Sequence, residues 1–136
     1  MGTGTRSSEE ANTTFIVIDD DPLNNKICGM FIRKILPDAE IETFLDPLLG
    51  IAHILALSSV PQSVKKILFL DINMPGTDGW QVLDAIKSTF TETNLPVLIY
   101  MLSSSVNPQD SQKARDPFIT GYIEKPLSVA KLKAII

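Results

Sequence analysis

Residues 67–80 read ILFLDINMPGTDGW, four apolar residues and an aspartate followed by a loop of proline and glycine that ends at a tryptophan. No polar residue alternates through Ile67-Leu68-Phe69-Leu70. Such a run suits a strand covered on both faces, as parallel sheets require. Asp71 stands where that strand runs out. Asp78-Gly79 then offers a turn and helix start, before Leu83, Ile86 and Phe90 at helical spacing. A strand, a carboxylate at its carboxyl end and a returning helix make one half of a βαβ unit.

The rest of the chain repeats this pattern. Phe15–Ile18 and Val97–Leu102 are further continuous apolar runs, and Tyr122-Ile123 is a shorter fourth. Glu40-Ile41-Glu42-Thr43-Phe44 alternates polar with apolar, which places it at a wetter sheet edge. Helix starts lie between the runs. Asp21-Pro22 precedes Leu23, Ile27, Met30, Phe31 and Ile35; Asp46-Pro47 precedes Leu48, Ile51 and Leu55. Asn107-Pro108 opens a short polar helix ending before Pro117, and Ser128 caps a last one, with Leu127 and Leu132 as its hydrophobic staple. Residues 58–66, SSVPQSVKK, read as a loop. Five alternations with right-handed crossovers give an α/β sandwich around a five-stranded parallel sheet, helices on both faces. With the alternating strand at an edge, its order is 2-1-3-4-5, the flavodoxin-like arrangement.

Composition narrows the class. The 136 residues make one domain, and a hydrophobic fraction of 44% is enough for a real core. The net charge of −4 argues against direct nucleic-acid contact. Cys28 is the single cysteine, so no intrachain disulfide is available and a reducing, cytoplasmic setting is expected. No stretch has the apolar length that spans a bilayer. The domain is expected over residues 14–136, after a polar, disordered arm at 1–13 without the hydrophobic centre of a signal peptide.

The expected order brings the first and third strands side by side, and ligands in such sheets bind beyond the strands' carboxyl ends. Asp19-Asp20-Asp21 and Asp71 would meet there. Converging carboxylates resist shared ionisation, and a hard divalent cation relieves the conflict. Magnesium suits best, since it takes few carboxylates and fills its other positions with water and phosphate oxygens. Ser103-Ser104-Ser105 ends the fourth strand with hydroxyls, and Glu124-Lys125-Pro126 ends the fifth with an ammonium group. A carboxylate nucleophile, a metal, a hydroxyl and a lysine form a phosphoryl-transfer set.

The segments FIVIDDDP, LFLDINMPGTDGW, LSSS and GYIEKPLS, in this order and spacing, resemble the receiver domains of two-component response regulators. The similarity covers about residues 14–136. It implies Asp71 as phosphoacceptor, and Mg2+ held by Asp20, Asp71 and the Asn73 backbone carbonyl, with Asp19 acting through water. The Asn73 side chain would face the phosphoryl group. Ser103 would donate its hydroxyl to a phosphoryl oxygen, Lys125 would pair with another, and Lys125-Pro126 would be cis. Tyr122 would be an aromatic switch on the face made by the fourth helix, fifth strand and fifth helix, which could also serve a homodimer. A sensor histidine kinase or histidine phosphotransfer protein would supply the phosphate, and a downstream protein or output domain would read it. The chain would then be a switch rather than an enzyme, though it assists its own phosphorylation and dephosphorylation. Counting from Pro96 places Met101 at the hydroxyl position. Aligning on Ser103-Ser104-Ser105 and Asn107-Pro108 selects Ser103, which keeps the apolar run inside the sheet.

Other residues have plainer readings. Asp21 is a cap, Ser104 and Ser105 are turn residues, with Ser104 a candidate for the entrance to the phosphorylation site, Cys28 is packing, and the solitary His53 is not a ligand. Trp80 is either an exposed helix-start aromatic or a partner contact. A phosphohydrolase with its nucleophile in Asp19-Asp20-Asp21 would need a cap insertion and a late acidic motif, and would leave the Asp71 segment unexplained. A scaffold that never takes phosphate is the third class, distinguished by failure of Asp71 to be labelled.

Overall fold

The computed structural model describes residues 13–59, 64–104 and 115–136. In order they form β1 (Thr14–Ile18), α1 (Pro22–Ile35), β2 (Glu40–Phe44), α2 (Pro47–Ala56) and a 3-10 turn (Leu57–Ser59). Then come β3 (Lys66–Asp71), α3 (Gly79–Lys87), β4 (Leu98–Ser103), β5 (Gly121–Glu124) and α4 (Val129–Lys133). The sheet order is β2-β1-β3-β4-β5 and every pairing is parallel, as the sequence pattern predicts. The helix expected at Asn107-Pro108, residues 60–63 of the predicted loop and residues 1–12 of the arm lie outside the described residues. Thr13, placed in the arm by the sequence, is buried.

The continuous apolar runs have a direct cause: successive strand residues point to opposite faces, and both faces are covered. Ile16, Ile18, Leu68, Leu70, Ile99 and Met101 pack on one side with Ile54, Val82, Leu83 and Ile86 of α2 and α3. Phe15, Val17, Ile67, Phe69, Tyr100 and Leu102 pack on the other with Cys28 and Ile32 of α1 and Leu132 of α4. Each fully buried side chain of this size contributes roughly 1.5–3 kcal/mol. Met101 therefore belongs to the core, and Ser103 is the residue at the end of β4.

Helix starts are fixed by side-chain caps. Asp21 accepts from the Leu23 N–H at 3.0 Å and Asp46 from the Leu48 N–H at 2.9 Å. Asp78 and Gln81 form a reciprocal capping box at 2.9 Å each way. Ser128 accepts from the Lys131 N–H at 3.1 Å, and the predicted staple pair Leu127 and Leu132 are both buried in one cluster.

Two helical stripes differ from expectation. Leu23 and Met30 of α1 are 63% and 58% exposed, whereas Asn25, Cys28 and Ile32 are buried. Polar residues occupy the inner face at the start of α1 because the ends of the strands there are polar too. Leu48 of α2 is likewise exposed, while Gly50 and Ile54 face inward. Among the described residues, no helix is long and apolar enough to cross a membrane.

Candidate functional site

From β1 the chain passes through α1 to β2 on one side, and α2 returns it to β3 on the other. Strand order thus reverses between β1 and β3, the position where open α/β sheets bind ligands. Register fixes what meets there. Ile18 pairs with Leu70 and Asp71 with Leu102, while Ser103 pairs with Glu124 on β5. One residue past β1 stands Asp19, and one past β5 stands Lys125, whose N–H donates to the Ser103 carbonyl at 2.6 Å. The Lys125-Pro126 bond is cis.

Distant parts of the chain converge as the sequence predicts. Lys125 Nζ lies 2.9 Å from Asp19 Oδ2 and 3.1 Å from Asp71 Oδ1. Asp19 is fully buried and Asp71 is 2% exposed, so this single ammonium works in a poorly hydrated setting. Asp20 turns outward and is exposed. One carboxylate oxygen each from Asp19, Asp20 and Asp71 lie within 4.8 Å of one another. That all-oxygen set, open to solvent on the Asp20 side, fits a hard divalent cation with coordinated water.

The electrostatics follow from crowding. Burial, then the Asp19 charge, push the Asp71 carboxyl up to about 6; hydrogen bonding and charge from Lys125 and the Asn73 N–H oppose this without cancelling it. For Lys125, burial alone would lower the pKa, but hydrogen bonds and charge from Asp19 and Asp71 prevail and raise it. Lys125 is therefore held as a cation. Burial, then Asp19, push the neighbouring Cys28 thiol up to about 12, so it stays protonated and unreactive.

The loop after Asp71 is shaped by its own chemistry. Gly76 sits at φ +83°, a conformation that side chains disfavour, and turns the chain back toward α3. The Gly79 N–H donates to the Ile72 carbonyl at 3.0 Å, seating the start of α3 against the end of β3. The Asn73 N–H reaches Asp71 Oδ1 at 3.4 Å, and its side-chain amide donates to Ser104 Oγ at 3.3 Å, joining two loops at the pocket rim. Ser104 thus stands at the rim through Asn73, while Ser105 lies outside the described residues. Ser103 is fully buried at the end of β4. Tyr122 is not among the converging carboxylates. It pairs with Met101 across β4 and β5 and packs on the core, its hydroxyl buried without a partner among the described residues. His53 contacts Glu42 at 2.9 Å and lies against the Phe44 ring, and it is not a member of the Asp19-Asp20-Asp71 cluster.

Sequence reasoning missed two asparagines. Asn24 donates its side-chain amide to Asp19 Oδ2 at 2.5 Å, and Asn25 donates to the Asp19 carbonyl at 3.0 Å. The available signal was a pair of poor helix formers in the first turn of α1, directly after the acidic run.

Comparison with known proteins agrees with this architecture. A sequence model described as "Response regulator receiver domain" matches residues 15–136. Protein PilG of Pseudomonas aeruginosa is 30% identical over 89% of this chain, which spans 82% of PilG. Hybrid signal transduction histidine kinase L of Dictyostelium discoideum is 30% identical over 89% of the chain, which corresponds to only 7% of that kinase. The crystal structure of a two component response regulator from Cytophaga hutchinsonii superposes with a TM-score of 0.73 at 28% identity, covering 90% of this chain and 92% of the other. With this match over nearly its whole length, and with the parallel sheet and acidic pocket described above, the chain belongs to the response regulator receiver domain family of two-component signalling.

Proposed function

We propose that residues 14–136 act as a magnesium-dependent switch in which Asp71 accepts a phosphoryl group from a histidine kinase or histidine phosphotransfer protein. The observation that carries this reading is Lys125 Nζ set between Asp19 and Asp71 beside the Asp19-Asp20-Asp71 cluster. Lys125 and the Asn73 N–H both fall on Asp71 Oδ1, so attack runs through Oδ2. Asp20, Asp71 and the Asn73 carbonyl would hold the cation, with Asp19 acting through water. A bound Mg2+ supplies charge neutralisation and a ligand site for phosphoryl oxygens. Lys125 offsets the charge on another oxygen, Ser103 donates its hydroxyl, and the Asn73 side chain faces the attacking water during hydrolysis.

The new charge then shifts a population. Ser103 closes on the phosphoryl group, and Tyr122, whose buried hydroxyl lacks a partner among the described residues, settles in the position that reports it. The face around β5 and α4 meets a downstream partner, an output domain or a second copy of the chain, in the cytoplasm. The domain turns over no external metabolite; it assists only its own phosphorylation and dephosphorylation. Incubation with acetyl phosphate and magnesium tests this, read by intact mass and peptide mapping. One added phosphoryl group on the Asp71 peptide is expected, and label elsewhere or none in folded protein overturns the reading.

Magnesium binding should depend on pH with a defined sign. Below about 6 the metal-free Asp71 carboxyl holds a proton that the cation must displace. Affinity therefore rises with pH and levels off above that value, roughly tenfold between pH 5 and pH 7. Calorimetric titration in buffers of different ionisation heat reads both affinity and proton release; a flat profile contradicts the assignment.

Lys125→Ala should fold, since the side chain contributes to the pocket rather than the core, yet it should uncouple the switch. The difference in hydrogen exchange over β4 and β5 between labelled and unlabelled protein is expected to shrink roughly tenfold as an equilibrium constant. An unchanged difference removes Lys125 from the mechanism.

A further inference from the structure

Among the described residues, the Asp21 N–H, the Asn24 amide and the Lys125 ammonium hold the fully buried Asp19 carboxylate. The Asp21 N–H reaches Oδ1 at 2.9 Å, while Oδ2 receives both Lys125 Nζ at 2.9 Å and the Asn24 amide at 2.5 Å. Lys125 is shared with Asp71, so the position of Asp19 decides where that ammonium rests. We propose that Asn24 is a positioning residue for the acidic pocket, pinning Asp19 Oδ2 so that Lys125 stays across the gap to Asp71 and the carboxylates stay arranged for a divalent cation.

Helix position and donor chemistry both support this. Asp21 caps α1, so Asn24 is the third residue inside it, where a longer Glu or Gln commonly reaches back to the cap. Gln81 does that in α3. Asn24 instead turns to Asp19, and because an ionised carboxylate only accepts, the amide nitrogen must face it. The same nitrogen lies 3.7 Å from Cys28 Sγ, one helical turn on, so the buried thiol holds the amide from the other side.

The choice of a neutral donor also matters. Asp19, Asp20 and Asp71 bring three negative charges and Lys125 one positive, leaving two, which a dication cancels. An amide secures Asp19 without disturbing that balance; a second ammonium would compete with the metal. Without Asn24, Oδ2 would keep the Lys125 ammonium and lose the amide that opposes it. The carboxylate would swing toward the lysine, the lysine would leave Asp71, and the cluster would open.

This inference rests on the magnesium reading above, and its test separates the two. Magnesium affinity of the unphosphorylated protein is measured by calorimetry for the native chain, Asn24→Ala, the near-isosteric Asn24→Leu and, as a reference for loss of the site, Asp19→Asn. Removing an outer-shell donor should raise the magnesium dissociation constant roughly tenfold in both Asn24 variants. The magnesium needed for half-maximal acetyl phosphate labelling should rise in parallel. If either folded Asn24 variant binds magnesium within about twofold of the native chain, Asn24 is not a positioning residue and the switch reading stands. A plateau rate that falls at unchanged magnesium affinity has the same meaning. If the native chain binds no magnesium, both readings fall together.

Discussion

Asp71→Ala should abolish magnesium-dependent labelling by acetyl phosphate while the protein remains folded. The chemical half of this expectation is simple. Asp19 is fully buried, with both oxygens engaged by the Asp21 N–H, Asn24 and Lys125, and Asp20 is exposed at the rim. Neither shares the arrangement of Asp71, whose Oδ1 is held by Lys125 and whose Oδ2 is the attacking atom in the proposed mechanism. The folding half is less obvious. In the metal-free protein, Asp71 is raised from 3.8 to about 6 by burial and by Asp19. A carboxyl raised on folding binds its proton more tightly in the folded state. Its contribution to stability is full below the unfolded value and is lost as pH rises through the folded one. At neutral pH the ionised Asp71 thus costs on the order of 3 kcal/mol without a cation. The alanine variant should lack that cost. In chelator, native protein should lose stability between about pH 4 and pH 7, and Asp71→Ala should lose much less over the same window. Chemical denaturation at the two pH values measures this. A residual label would move the acceptor to another carboxylate, and equal pH slopes would remove Asp71 from the repulsive cluster.

The same crowding explains how much of the site was legible in the sequence. Asp19 and Asp71 could be placed because each directly follows a long apolar run, and parallel pairing brings those run ends together; Lys125 follows Tyr122-Ile123-Glu124, a segment too short to read by pattern alone. Register also places the two residues weighed for the hydroxyl position: Met101 pairs with Leu70 and Tyr122 inside the core, and Ser103 stands at the strand end. The inner face of α1 was not legible. Its apolar residues suggest a stripe through Leu23 and Met30, but the inward face near the pocket is polar, with Asn25 buried and Asn24 turned to Asp19. Periodicity locates apolar faces and is blind to a face chosen by a carboxylate. The Asn73–Ser104 link was similarly hidden, because it joins loops 31 residues apart whose approach only the folded chain defines.

Close backbone approach was hidden too, and it yields the second large effect. Gly79→Ala should destabilise the protein by roughly 3 kcal/mol and slow labelling. A Cβ at Gly79 would stand 2.4 Å from the Asp71 carbonyl oxygen and 2.9 Å from the Ile72 Cα. Both are backbone atoms, so no rotamer change relieves the overlap. Either α3 lifts from the sheet, uncovering Val82, Leu83 and Ile86, or the end of β3 bends and carries Asp71 away from Lys125. A bend also lengthens the hydrogen bond from the Gly79 N–H to the Ile72 carbonyl. The contrasting substitution lies in α1. At Gly29 the nearest atom to a new Cβ is Ile41 Cδ1 at 4.0 Å, ordinary contact distance. Gly29→Ala should therefore gain up to about 1 kcal/mol from helix propensity, with labelling unchanged. Urea denaturation and labelling rates on both variants test the argument. Gly79→Ala with native stability would mean that α3 is not seated on the Asp71 backbone, and the loop that follows Asp71 would need another support.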